Sequence, residues 1–296
     1  MTDIEVLLPF YGDVGYLKLA VESVLSQTDT DWRLTVVDDG YPDPTVADWF
    51  AGIGDLRVRY HRNPTNLGAN GNYRHALAMA DADYVVVMGA DDLMLPGYVG
   101  LVRDVVTRHP SLSVVQPGVQ VVDEAGLPVD PLVDRVKRVL RPKIAGRLAI
   151  LEGQPLARSL LRANWTYFPS LCWNRRLISE VGFRPGLDVV QDLALLLDVT
   201  AAGGTMALLD DVVFAYRRHS ASDSAVRAAA GSRFEEERRF FRAAAANSQE
   251  RDWTSAARAA RLHLTSRLYA ASLVPSAAKG HAWGPLKSLL RHALGT

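Results

Sequence analysis

The chain reads as an α/β protein, a mostly parallel sheet flanked by helices with a C-terminal helical extension, and three observations predict this. Apolar, β-branched runs alternate with segments of helical periodicity, as a parallel sheet assembled from β–α units requires. The run at residues 84–87, YVVV, is apolar or aromatic throughout, the pattern of a strand buried on both faces. Several runs end on polar pairs, Asp38-Asp39, Asp91-Asp92 and Gln191-Asp192, which sets the candidate chemistry along the carboxyl edge of the sheet.

Taken in order, residues 4–8 form a first strand. Leu17, Ala20, Val21, Val24 and Leu25 follow at helical spacing and give one apolar face. A second strand at 34–37 runs into Asp38-Asp39-Gly40, and a third falls at 57–60. The polar turn 63–70 leads into a helix ending near residue 80, and the central strand comes next. It stops at Asp91 and Asp92, and Pro96-Gly97 opens another helix with Tyr98, Leu101, Val102, Val105 and Val106 on one face. Adjacent acids at a buried strand end repel and desolvate each other, so they serve either a cation or a solvated helix cap.

Beyond that helix, 112–115 and 119–122 read as two strands around Pro117-Gly118, closed by the turn 123–126. From 127 to 153 the periodicity weakens and Arg135, Lys137, Arg138, Arg141, Lys143 and Arg147 gather. A long loop, a lid or a solvated linker is expected there. A short helix at 156–161, a strand at 170–173, a helix from Asp192 and a strand at 212–216 complete the body. Trp165, Tyr167, Phe168 and Trp173 cluster near the 170–173 strand, where they either pack in the core or floor a ligand site.

The composition sets limits on function. With 296 residues, 48% hydrophobic and 22% charged, the chain can bury a large core and is not a disordered one. A single cysteine, Cys172, leaves no disulfide framework and no CxxC metal cluster, and fits a reducing compartment. The first residues lack a basic leader and read as a strand, not a signal peptide. The longest apolar stretch, 193–215, is broken by Asp198, Gly203, Gly204, Asp210 and Asp211, so no membrane span is expected.

Zero net charge hides a division, since residues 1–226 carry −7 and residues 227–296 carry +7. The acidic body argues against nucleic acid as a partner, while the basic tail suits anionic lipid or phosphate. In that tail Arg258, Arg261, Leu262, Leu264, Leu268, Tyr269 and Leu273 mix cations with an apolar stripe. A basic amphipathic helix is expected, lying in a membrane interface or packing on the body.

A fourth polar cluster, YRRHSAS at 216–222, puts Arg217, Arg218 and His219 directly after the last strand. With the three polar pairs it describes a rim able to carry a base, a divalent metal and a proton acceptor, with cations for phosphate. Here the sequence resembles the family 2 glycosyltransferases, inverting enzymes of GT-A fold that use nucleotide-sugar donors. The likeness spans about residues 3–225, in IEVLLPFYG, AVESVLSQT, LTVVDDG, GADDLMLPGY, GFRPGLDVVQDLALLLDVTAAGG and YRRHSAS, and rests on order and spacing more than on one motif.

The resemblance implies a catalytic domain over 1–225, its nucleotide-binding half 1–96 and its acceptor half 97–225, followed by a helical basic extension over 226–296. On the donor side it implies Asp39 as the acid reading the base, Tyr11 as a stacking or ribose neighbour, and Pro9, Asn66, Gly68, Arg74 and Ala90 along the nucleotide. The metal-binding DxD region falls on Asp91 and Asp92, with His219 approaching the same Mn²⁺ or Mg²⁺. Asp192 takes the place of the catalytic base. Arg217, Arg218, Gln191, Trp165 and Trp173 are candidates for diphosphate or acceptor. The implied partners are a UDP-, dTDP- or GDP-sugar and a carbohydrate or lipid-linked acceptor in cell-envelope glycan, polysaccharide or glycolipid synthesis. The implied location is the cytoplasm, peripheral at the inner face of the membrane through the basic C-terminal helices.

The chain departs from the family pattern at three places. Gly89 stands where an acid usually precedes the metal ligand by two positions, Gln191 replaces the usual Glu, and Tyr73 occupies the expected Arg position with Arg74 one place late. A non-catalytic nucleotide-sugar or carbohydrate-binding relative therefore remains open. A receiver-like signalling domain also holds an acid pair for Mg²⁺, but after its first strand, whereas here strand one ends in Pro9-Phe10-Tyr11. A nicotinamide dehydrogenase is excluded because no GxGxxG follows that strand, and a sugar nucleotidylyltransferase by the lack of a Gly- and Arg-rich phosphate loop.

Overall fold

In the computed structural model residues 2–219, 232–279 and 283–295 are described. The chain starts with β1 (Ile4–Phe10), α1 (Val14–Leu25), β2 (Trp32–Asp38), α2 (Thr45–Ala51), β3 (Val58–Arg62), α3 (Gly68–Met79) and β4 (Tyr84–Val87), as anticipated except for α2, a helix the sequence reading did not include. Along β1, Ile4, Val6, Leu8 and Phe10 pack with α1, while Leu7 joins a second core on the other face. Both faces are buried because helices cover both, so the strand reads as continuously apolar. Glu5 is the exception. Its buried carboxylate accepts from Thr35 Oγ1 at 2.6 Å and from the Asp81 amide at 3.2 Å, which satisfies a charge that would otherwise be costly there.

There follow β5 (Leu93–Met94), α4 (Tyr98–Arg108), β6 (Val114–Val122), α5 (Leu132–Leu140), β7 (Ala149–Glu152) and α6 (Gly153–Arg162). After a 3-10 turn at Phe168–Ser170 come β8 (Cys172–Asn174), α7 (Arg175–Val181), α8 (Gln191–Ala201) and β9 (Thr205–Arg217). The nine-stranded sheet has the order β3-β2-β1-β4-β8-β6-β9-β5, with β7 also paired to β9. Strands β1, β2, β3 and β4 pair in parallel; β8 runs antiparallel to both β4 and β6, so β6 and its parallel partner β9 share their direction. The carboxyl ends of six strands thus lie along one edge.

Several expectations are corrected by this architecture. Residues 114–122 are one strand, not two. Pro117 cannot donate to the ladder, yet the strand continues through a register shift at Gln116 and Gly118. Gly118 allows it, because a Cβ there would lie 2.5 Å from the Asp210 carbonyl oxygen. The expected loop at 127–153 contains α5 and β7. Strand β9 starts at Thr205, seven residues before the predicted 212, because Met206 and Leu208 reach the core between α8 and β7.

The described C-terminal helices are α9 (Ser232–Glu250), α10 (Thr254–Leu262), α11 (Leu264–Lys279) and α12 (Trp283–Leu294). The expected stripe from Arg258 to Leu273 is no single helix, since His263 breaks it at φ 25° between α10 and α11. Phe240, Phe241, Ala256 and Ala260 share a core with α6 and α8. Each large apolar side chain so buried contributes ~1.5–3 kcal/mol, which ties the extension to α6 and α8. The boundary expected at 225/226 lies outside the described residues, as do Ser220 to Ser222 of YRRHSAS. No helix among the described residues is long and apolar enough to cross a membrane.

Candidate active site

Two acids after β2 do different structural work. Asp38 is buried and accepts from the Tyr41 amide at 2.7 Å and from the Tyr60 hydroxyl; burial pushes the Tyr60 phenol up, helped by that bond. Asp39 Oδ1 accepts from Asn63 Nδ2 at 2.9 Å and from the Leu67 amide at 2.8 Å. Asn63 also donates to Asn72, which donates to the Val37 carbonyl, so the network draws the turn before α3 under the end of β2. Pro9 lies buried in β1 beside Val37. Tyr11 is 57% exposed, its ring edge-on to Tyr41 at 5.5 Å. Tyr41, absent from the sequence-derived set, thus forms an aromatic wall with Tyr11. Asn66 Oδ1 accepts from the Gly68 amide at 2.8 Å, and Gly68 sits at φ +74°, a conformation that favours glycine. Arg74 is exposed and without a bonding partner among the described residues.

After β4 the chain turns at Gly89, Ala90, Asp91 and Asp92, with Ala90 half-buried against the core. A Cβ at Gly89 would lie 2.6 Å from Asp92 Oδ2 and 2.8 Å from Asp91 Oδ1. Glycine therefore lets both carboxylates fold over the backbone where the family pattern places an acid. Asp92 is buried, with Oδ1 accepting from the Arg217 amide at 2.8 Å and Oδ2 unpartnered among the described residues. Burial, then the charge of Asp91, pushes its carboxyl well above the usual carboxylate range. Asp91 is half-exposed, with Oδ2 2.7 Å from His219 Nε2. That hydrogen bond holds the imidazole pKa above its ordinary value.

Arg217 is no free phosphate ligand. Its guanidinium donates to the carbonyls of Asp91, Asp123 and Glu124 at 2.7, 3.1 and 2.9 Å and lies 4.7 Å over the Tyr16 ring. It locks the β4, β6 and β9 ends together. Arg218 pairs with both oxygens of Asp134 on α5, at 2.6 and 2.7 Å, and Tyr167 donates to the same carboxylate at 2.9 Å. Lys137 donates to the Thr166 carbonyl at 2.8 Å, its ammonium 4.5 Å over the Tyr167 ring; burial pulls its pKa down to about 8. These contacts staple α5 to the body.

Asp192 occupies the first turn of α8, with Oδ2 accepting from Asn164 Nδ2 at 2.9 Å and Oδ1 from the Leu193 amide at 2.7 Å. Thr166 donates to Asn164 Oδ1 at 2.7 Å and fixes the amide's orientation. The turn before α8 is held from afar: Glu236 of α9 accepts from the amides of Asp188, Val189 and Val190 at 3.1, 2.7 and 2.9 Å. No local signal marks Asn164 or Glu236, because each meets α8 only in the folded chain. Gln191 faces away, accepting from Asn70 of α3 at 2.9 Å, and Trp165 and Trp173 are core residues. These three are corrected as diphosphate or acceptor candidates, because their side chains are consumed in packing.

Asp192, Asn164, Lys137, Arg218 and His219 line one cleft of about 1060 Å³ between the sheet edge, α5 and the C-terminal helices. For a divalent cation, Asp91 and His219 supply one carboxylate and one imidazole, and Asp92 Oδ2 is an orphaned oxygen beside them. No group of three or more acidic, imidazole or thiol ligands forms among the described residues. That donor set fits Mg²⁺-type binding, in which one or two protein groups are completed by substrate phosphates and water.

A parallel-centred sheet with an acid pair at the end of its central strand, and a further acid across a cleft, defines a GT-A-type glycosyltransferase fold. The crystal structure of TarS residues 1–349 from S. aureus superposes with a TM-score of 0.66 over 99% of this chain and 81% of that one, at 15% identity. The family model for Glycosyl transferase family 2 matches residues 5–165, and the chain belongs to that family. Among curated relatives, the putative glycosyltransferase EpsE of Bacillus subtilis is 29% identical over 42% of this chain and 45% of its own length. The succinoglycan biosynthesis protein ExoW of Rhizobium meliloti is 25% identical over 71% of this chain and 67% of its own. The chain thus spans about half to two thirds of these relatives.

Proposed function

We propose that this protein transfers a sugar from a nucleotide-diphosphate donor to an acceptor hydroxyl, with inversion at the anomeric carbon. The carrying observation is Asp192, a half-buried carboxylate oriented by Asn164 in the cleft that His219 also lines. The acceptor hydroxyl gives its proton to Asp192 as its oxygen bonds the anomeric carbon, and the bond to the nucleotide diphosphate breaks on the opposite face. One displacement inverts the centre.

On the donor side, Asp39 and the Tyr11–Tyr41 wall bind the base and ribose of a UDP-, dTDP- or GDP-sugar, with Pro9, Asn66, Gly68, Arg74 and Ala90 along the nucleotide. Structures of TarS in complex with UDP-GlcNAc and with UDP support a nucleotide-sugar donor, and the ExoW name supports work on a polysaccharide acceptor. Asp91 and His219 would hold Mn²⁺ or Mg²⁺, which when bound neutralises the leaving diphosphate. Arg217 acts indirectly by fixing the loops that present Asp91.

The test is Asp192→Asn, which preserves shape and hydrogen bonding but removes the base. Sugar transfer should fall by on the order of 10² to 10⁴, while donor affinity on the same preparation stays within about twofold. Transfer at the wild-type rate would remove Asp192 from the mechanism. Donor binding without transfer in the wild-type protein would make it a binding relative.

A further inference from the structure

Helix α5 is inside out. Its one buried residue is the acid Asp134, at 4% exposure, while Leu132 is 69% and Val139 79% exposed. At the α-helical repeat Leu132, Val133, Val136, Val139 and Leu140 share an arc of roughly 120°. An ordinary surface helix turns such a face to the core; here Arg218, Tyr167 and Thr166 hold the polar face inward through Asp134 and Lys137. Leu132, Val133 and Val136 are exposed and also line the cleft, as does Leu268 of α11.

Charge around this face says what covers it. Residues 131–151 carry six cations and one acid, and that acid is the buried, paired Asp134. Arg135, at the margin of the apolar arc, and Lys143 and Arg147 beyond it are exposed and have no acid partner among the described residues. A second copy of the chain would bring like charges together across an isologous contact. An anionic bilayer supplies both an apolar layer and negative headgroups.

We propose that α5 docks in the interface of an anionic membrane, with Leu132, Val136 and Val139 inserted and Arg135, Lys143 and Arg147 among the headgroups, so that the cleft opens towards acceptors held in that surface. The assignment moves membrane contact from the C-terminal helices to the acceptor half. The membrane contact stands independently of the sugar-transfer reading, because its test measures vesicle binding and not activity; only the presentation of acceptors to the cleft rests on that reading.

The experiment is flotation of the full-length protein with phosphatidylcholine vesicles, with and without phosphatidylglycerol, at low and high salt. Wild-type protein should float with the phosphatidylglycerol vesicles, less so at high salt. Val139→Glu, at an exposed position outside the cleft, should weaken partitioning about tenfold or more, since one valine's transfer is replaced by a carboxylate, with unchanged circular dichroism. The double variant Arg135→Gln/Lys143→Gln should flatten the salt dependence. Absence of flotation, or flotation indifferent to Val139→Glu, overturns the proposal. So does loss of flotation in Leu264→Glu/Leu268→Glu alone, which would put the contact on α11, or a dimer that Val139→Glu dissociates, which would make a second copy the occupant.

Discussion

Asp91 and Asp92 are adjacent in sequence and opposite in environment. Asp92 is buried, its carboxyl pushed well above the usual carboxylate range by burial and then by the charge of Asp91, and one oxygen is spent on the Arg217 amide, whereas Asp91 is half-exposed and bonded to His219. The more exposed member, beside His219, is therefore the one placed to take a cation, with Asp92 as a wall behind it. Asp91→Asn should abolish the Mn²⁺-dependent part of nucleotide affinity while the metal-free part and the melting temperature hold, as calorimetry with and without Mn²⁺ would record. Equal metal dependence in the variant would make the pair a structural turn. Gly89 belongs to the same argument. Its missing side chain leaves room for both carboxylates, so an acid restored there would displace the pair and not simply complete it.

The element that matters most for the proposed chemistry is the start of α8. Its base, Asp192, is aimed by Asn164 from the α6–β8 connection, and the preceding turn is capped by Glu236 from α9. A carboxylate on three amides at a helix start combines charge-assisted hydrogen bonds with the helix dipole. Glu236 is thus a positioning residue, and Glu236→Ala should lower the transfer rate by up to on the order of 10²-fold, the cost of a small misplacement of a catalytic group. Donor affinity should hold, and Glu236→Gln, which keeps an acceptor oxygen, should recover part of the rate. Steady-state kinetics of the two variants check this; equal rates in both would reduce the contact to packing.

At the scale of the whole molecule, the C-terminal helices share a core with α6 and α8 and carry a buried imidazole. His292 of α12 is fully buried against Phe234, Ser266 and His263, facing Glu237 at 3.5 Å, with Arg238 and Arg267 nearby. Burial, then the neighbouring His263, Arg238 and Arg267, pulls its pKa down to about 3, and burial lowers that of His263. Glu237 does not reverse this, being paired with Arg233 and bonded by Ser266. Below about pH 6.5 the unfolded chain binds protons that the folded chain refuses. Stability is therefore full above that pH and falls as pH drops towards 3, by ~1.4 kcal/mol per pH unit for one such group. Thermal midpoints at pH 7 and 5 should show this loss, and a smaller one in His292→Gln.

The alternation of strand and helix, the burial of β4 and the acids at the strand ends were legible from residue order, because periodicity and local apolar content fix those features within a few neighbours. The pairs Asp38-Asp39, Asp91-Asp92 and Gln191-Asp192 could be picked out for the same reason, each standing at the end of a readable element, while the choice of Asp39 and Asp192 within them came from the family resemblance. Tertiary structure alone decided which polar groups are left to act. Arg217 and Arg218 carry full charges in the sequence, yet three carbonyls and Asp134 engage them. Gln191 beside Asp192 turns to α3, and Glu236 reaches the start of α8 from α9. Helix α5 escaped prediction because its apolar positions face outward and its acid inward, so its pattern matches no core. A sequence sets which groups can ionise, bond or bury; only long-range contacts decide which are already satisfied, and function falls to those that are not.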